Sequence, residues 1–257
     1  MALTKVSRGL LSTGIVDNSN ATAITINADE SVALANKLSL GTDSGDAFNN
    51  SSMVRVQTSG NGYVQLKTST TSSAGILFGD TDDDFAGGMI YDNNSNTLYF
   101  NANNAERLSI SSAGEVTMPS QPAFSATPSS IQYDIPLGGV TVVLGTEIFD
   151  TGSNFASNTF TAPVTGKYQL TARVRLNNVD SAATYYVLRI LTSNRSYNTV
   201  IDPDFGQDAA YWTQFLSVLA DMDAGDTCLI SVLQLGGAAQ TDIHASSYTN
   251  FSGYLVA

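Results

Sequence analysis

A chain of 257 residues has room for one large β-domain or two smaller ones. Hydrophobic residues make up 42% and charged residues 13%, so Ser, Thr, Asn and Gly supply most of the polarity, a mixture that suits many short strands joined by turns. A net charge of −12 without a Lys/Arg cluster excludes nucleic acid as a partner, and no run reaches the roughly 18 apolar residues of a membrane span.

The chain opens with "MALTKVSRGLLSTGIVDN", in which Lys5 and Arg8 precede a short apolar run. Ser12, Thr13 and Gly14 break that run, so it makes a poor signal peptide, and synthesis in a cytosol is expected. "ATAITINADESVAL" alternates around Ile24 and Ile26. "MVRVQTSGNGYVQLKT" reads as a hairpin, with Val54 and Val56 on one arm, Val64 and Leu66 on the other and "SGNG" between. "GGMIYDNNSNTLYF" reads as another, turning at Asp92 to Asn96. No useful stretch has the helical period, so hardly any helix is expected. Only seven Phe or Tyr fall in the first 117 residues, too few for an easy monomeric core, which predicts that this half borrows a core from partner chains.

All six prolines lie at or after position 119, three of them in "MPSQPAFSATPSS", residues 118–130. That composition predicts a stiff linker. Beyond it, "FTAPVTGKYQLTARVRL" puts Tyr168, Leu170, Ala172, Val174 and Leu176 on one face of a strand and Gln169, Thr171, Arg173 and Arg175 on the other. "YYVLRILT" (185–192) and "YWTQFLSVLA" (211–220) are apolar on both faces and need cover on both, one side from the domain and the other from a subunit interface. Between them, "SNRSYNTVIDPDFGQD" (193–208) reads as a long exposed loop, a common location for binding.

Chemistry-bearing residues are few. Cys228 is the only cysteine, so no intrachain disulfide forms, and its alternation with Ile230 and Val232 predicts burial. His244 is the only histidine, which rules out a histidine triad or multi-histidine metal site within one chain. "IFDTGS" (148–153) has the form of the segment around an aspartic-peptidase carboxylate. Such enzymes need two carboxylates sharing a proton, and the second candidate, Asp43 in "TDSG", follows Leu40, Gly41 and Thr42 rather than a buried strand. Asp80, Asp82 and Asp84 alternate as calcium ligands do, but Phe85 and Tyr91 occupy the places where an EF-hand loop needs Gly and Glu. The triplets Asp202, Asp204, Asp208 and Asp221, Asp223, Asp226 are further Ca²⁺ candidates by their chemistry, without a motif. Trp212 is expected in a core or interface rather than as a sugar-stacking platform.

Two resemblances order these signals. "GLLSTGIVDNSNATAITINADESVAL" and "ILFGD…GGMIYDNNSNTLYFNANNAERLSISSAGEV" (76–116) resemble modules of bacteriophage fibre proteins. Residues 123–257 resemble the globular heads of the complement first-component q-subunit family, related to the tumour-necrosis-factor jelly rolls. That second likeness is carried by Phe149, Gly152, Phe160, Pro163, Gly166, Tyr168, Gly225, Asp226, Phe251, Gly253 and Leu255. Together they imply an all-β chain with a trimeric antiparallel jelly-roll head on an intertwined β-rich shaft. The expected segments are a virion-attachment segment (1–34), a shaft (35–117), a Pro-rich linker (118–130) and the head (131–257). They also imply a homotrimer, other virion proteins at the N-terminus, a host-surface receptor or glycan at the head, and Asp150 as a turn residue of the jelly roll. A head-fibre or capsid-decoration role is the alternative, and an aspartic peptidase the remote one.

Overall fold

A computed structural model describes residues 59–245 and 247–257, together with the backbone of four short strands before them. The chain divides into two compact units, Met1–Thr68 and Ser69–Ala257. In the first, β1 (Ile24–Ile26) and β2 (Val32–Leu34) form an antiparallel pair, and β3 (Leu38–Gly41) and β4 (Val54–Gln57) a parallel one. The hairpin expected of residues 53–68 is not formed. The backbone of β4 pairs with β3, while Tyr63, Val64 and Leu66 lie outside any strand and exposed.

The second unit begins with an antiparallel meander of five strands in chain order: β5 (Ser73–Phe78), β6 (Gly87–Asp92), β7 (Thr97–Ala102), β8 (Ala105–Ile110) and β9 (Val116–Thr117). The β6–β7 hairpin pairs Asp92 with Thr97, as its sequence predicts, and the Asp92 carboxylate accepts from the Asn94 amide and the Ser95 hydroxyl to hold the turn.

The remaining strands are β10 (Ala123–Thr127), β11 (Gly138–Thr141), β12 (Thr146–Thr151), β13 (Phe155–Ala156), β14 (Thr159–Thr161) and β15 (Gly166–Val179). They continue with β16 (Tyr185–Thr192), β17 (Ser196–Ile201), β18 (Ala209–Met222), β19 (Thr227–Leu235), β20 (Asp242–Ile243) and β21 (Asn250–Leu255). One sheet has the order β12-β10-β21-β15-β18, the other β13-β14-β19-β16-β17. Apart from the β13–β14 and β16–β17 hairpins and the step from β20 to β21, strands adjacent in sequence pass between the sheets and neighbours within a sheet are not consecutive, which is jelly-roll connectivity. No helix occurs among the described residues.

Two expectations change here. Residues 118–130 are not a linker throughout, because Ala123–Thr127 pair with both β12 and β21 and bury Phe124 and Ala126. Residues 193–208 are not one loop, since Ser196–Ile201 form an edge strand against β16, leaving 193–195 as a short turn and 202–208 irregular.

The core follows from the period-two pattern. Tyr168, Leu170, Ala172, Val174 and Leu176 are all fully buried between the sheets. Phe124 organises the aromatic end, with ring centroids 4.5 Å from Phe160, 4.9 Å from Phe251 and 5.2 Å from Phe155. Each such pair adds about 0.5–1.5 kcal/mol beyond its buried area.

Candidate interaction surface

The register of the β12-β10-β21-β15-β18 sheet turns one residue set inward and the other to the outer face. Gln169 of β15 stands between Tyr254 of β21 and Leu219 of β18, and Thr171 stands between Ser252 and Ser217. Arg173 faces Phe215, and Asn177 faces Tyr211. On this outer face Tyr211 (64%), Phe215 (59%), Leu219 (56%), Tyr254 (52%) and Phe149 (51%) are each more than half exposed, too large an apolar set to be scattered surface residues. The opposite side of β18 buries Gln214, Ala220 and Met222, so the two-faced pattern of "YWTQFLSVLA" is real and one face lacks cover among the described residues. The other two-faced strand, β16, differs: Val187 on its outer side is already buried.

Polar chemistry on this face is ordered by short-range contacts. The Gln169 amide donates to Ser217 Oγ at 2.8 Å and to the Val218 carbonyl at 3.1 Å. Phe149 and Tyr254 flank an open hollow of about 300 Å³ that Gln169, Thr171 and Ser252 also line. At the far end the Arg175 guanidinium lies between two rings, 4.7 Å from the centroid of Tyr211 and 4.6 Å from that of Tyr248. His244, half-buried, meets Tyr248 edge-on at 5.8 Å. Trp212 is neither core nor bare platform: it is 40% exposed and stacks on Phe205 of the 202–208 loop at 5.3 Å.

Most residues that carry the head resemblance lie in the core or in turns. Phe160, Tyr168 and Phe251 are fully buried, and the Tyr168 hydroxyl donates to the Val164 carbonyl at 2.8 Å, tying the Pro163-containing turn to the strand it feeds. Leu255 packs on the core edge beside Gly166, where a Cβ would stand 2.6 Å from its Cδ1 and from the Ala257 carbonyl. Gly152 and Gly225 sit in turns at φ +89° and +90°. Asp226 braces the second of these turns, accepting from the Asp223 amide (2.8 Å), Ser193 Oγ (2.8 Å) and Asn194 Nδ2 (2.5 Å). Those bonds, the backbone one foremost, hold its carboxyl below the usual range. Phe149 is the one large apolar side chain of the set that is more than half exposed.

The enzymatic and metal candidates disperse. Asp150 accepts the backbone N–H groups of Asn154 (3.0 Å) and Phe155 (2.9 Å), a turn brace. Asp43 lies outside the described residues. Asp80 accepts from the amides of Asp82 and Asp83, Asp202 from that of Asp204, Asp208 from Ser181 and Gln240, and Asp221 pairs with Lys167. None of the three aspartate sets converges. Among the described residues no group of three or more His, Cys, Asp or Glu side chains is placed to hold a metal ion. Cys228 is fully buried, and burial pushes its thiol far above the ordinary range.

What sequence reasoning missed is the row structure of the outer face, because Tyr211, Phe215 and Leu219 join Phe149 and Tyr254 only through a register set by three intervening strands.

The chain is similar in structure to the globular domain of zebrafish Complement 1qA protein, at 18% identity and a TM-score of 0.39, over 53% of this chain and 98% of that one. Murine APRIL at pH 8.5 is similar at 13% identity and a TM-score of 0.38, over 53% of this chain and 99% of that one. No protein-family model matches the chain. No curated protein matches it either.

Proposed function

We propose that this chain is the protomer of a trimeric bacteriophage fibre whose jelly-roll head adheres to a host-cell surface. The observation that carries the reading is the uncovered outer face of the β12-β10-β21-β15-β18 sheet, with Phe149, Tyr211, Phe215, Leu219 and Tyr254 exposed together. So apolar a face is kept out of water most simply by packing it on copies of the chain. Threefold closure comes from the head-family resemblance, and the virion setting from the fibre-like segments 76–116. The N-terminal segment docks on other virion proteins. Three heads held together raise avidity for a receptor or glycan without any new contact.

Adsorption of virions that carry the chain without residues 123–257 tests this. Loss of host binding, with the truncated chain still present in the particle, is expected. Full adsorption by such particles would replace adhesion with the bracing role of a head fibre or capsid decoration protein.

A further inference from the structure

Of the three cationic side chains on the outer face of β15, one is paired and two are not. Lys167 pairs with Asp221 across the start of the strand. Arg173 and Arg175 meet no carboxylate among the described residues, although the chain carries a net charge of −12. The Arg175 guanidinium is fixed all the same. Tyr211 stands on the β18 side of β15 and Tyr248 on the β21 side, in the turn that leads into that strand. Their ring centroids lie 4.7 Å and 4.6 Å from the guanidinium carbon. Nε donates to Asn177 Oδ1 at 3.1 Å. The two Nη groups, which carry four of the five N–H donors of an arginine, have no acceptor among the described residues. The Tyr211 and Tyr248 hydroxyls have no hydrogen-bond partner there either. Arg173 turns its own Nη2 to the Ser247 carbonyl, which brings a second positive charge to the same turn.

We infer that Arg175 binds the carboxylate of a uronic acid in a surface polysaccharide. The inference rests on the adhesion proposed above and names the group that the head recognises. Stacking between two rings fixes the plane of the guanidinium, and its free Nη edge matches a planar carboxylate through two parallel N–H···O bonds. Because the fork is held before the ligand arrives, little freedom is lost on binding. The acid of a uronic sugar is bonded directly to the ring, so an acid seated on the fork brings the sugar hydroxyls to the flanking phenols. Tyr211 (64%) and Tyr248 (51%) are open enough to receive them. The net negative charge of the chain repels a dense polyanion, whereas one acid per sugar meets one fork. Position suits the role as well. Arg175 lies about 20 Å along β15 from Gln169, at about 3.4 Å per residue, so copies packed on the Leu219 and Tyr254 end leave the fork at the polar rim of that interface.

Binding of the full-length chain to oligomers of glucuronic acid and of galacturonic acid tests this, with their carboxyl-reduced counterparts and a glycerol phosphate oligomer beside them. At least one uronic oligomer should bind, and its carboxyl-reduced form should bind more weakly by roughly tenfold or more. Arg175→Gln should lose the same factor. Arg175→Lys, which keeps the charge but not the fork, should lose nearly as much, both variants with the native mass unchanged. The carboxyl-reduced oligomers read the same contact without altering the protein. Failure of both uronic oligomers to bind, equal binding of the reduced forms, glycerol phosphate binding as tightly, or full binding by Arg175→Gln would overturn the inference. In virions, adsorption that needs the head but survives Arg175→Gln overturns this site alone. Adsorption without the head overturns adhesion and leaves an Arg175-dependent uronate contact standing.

Discussion

Gly253 of β21 lies directly beneath the ring of Phe124, its cross-strand partner on β10: a Cβ at 253 would stand 2.8 Å from Cε1 of that ring and 2.7 Å from Cδ2 of Leu170. The closing strand of the head therefore locks to a residue of the first, and the lock requires the absence of a side chain. Gly253→Ala must displace Phe124 from its stack on Phe160 or shift the strand. Overpacking of this kind costs about 1–3 kcal/mol. Thermal unfolding should register a clear fall in Tm, with Ser252→Ala as a control that leaves it nearly unchanged.

Asp150 accepts two backbone N–H groups, so its carboxylate holds the β12–β13 turn rather than activating water. Asp150→Ala leaves both donors without their charged acceptor, a loss of about 2 kcal/mol. A lower Tm is expected, and peptide hydrolysis by the wild-type chain should be indistinguishable from buffer. Hydrolysis that disappears in the variant would overturn the turn assignment.

Asp226 is held below its ordinary value of 3.8 by the hydrogen bonds it accepts. A carboxyl with a depressed folded-state pKa contributes stability that is present above the unfolded-state value and is lost as pH falls through the folded one. Asp208, depressed first by the Ser181 amide, acts in the same sense. The head should therefore lose Tm as pH falls below about 4, and Asp226→Asn should flatten part of that slope. An unchanged slope in the variant would show that the bonds to Asp226 are not formed in solution.

Cys228 pairs with Phe160 and Thr192 across β19 and is fully buried. A thiol reagent should leave it unmodified in the native chain and modify it fully in denaturant. Rapid native labelling would mean that β14 or β16 separates from β19.

Much of this architecture is legible in the sequence where one face of a strand meets a core. Tyr168 to Leu176 alternate without fault because their inward set has a single environment. Legibility fails where a partner far along the chain decides. "YVQL" at 63–66 alternates too, yet β4 finds its partner in β3 instead. The prolines around Phe124 read as a linker, but Pro119, Pro122 and Pro128 lie outside β10, and none falls within the strand where it would break a ladder. Ser196–Ile201 looked like loop because an edge strand with polar Ser196 and Asn198 needs little burial. The exposed outer face of the head arises from register across several strands, which no local window contains.

The most direct test is the native mass of the full-length chain by light scattering at low micromolar concentration, beside that of Phe215→Asp. The wild-type chain should scatter as three times its 27.0 kDa, and the variant, with a charge set in the exposed head face, should shift toward the mass of one chain. A wild-type chain that scatters as a monomer, with its tyrosines and phenylalanines still open to water, would contradict the proposed assembly and the adhesion built on it.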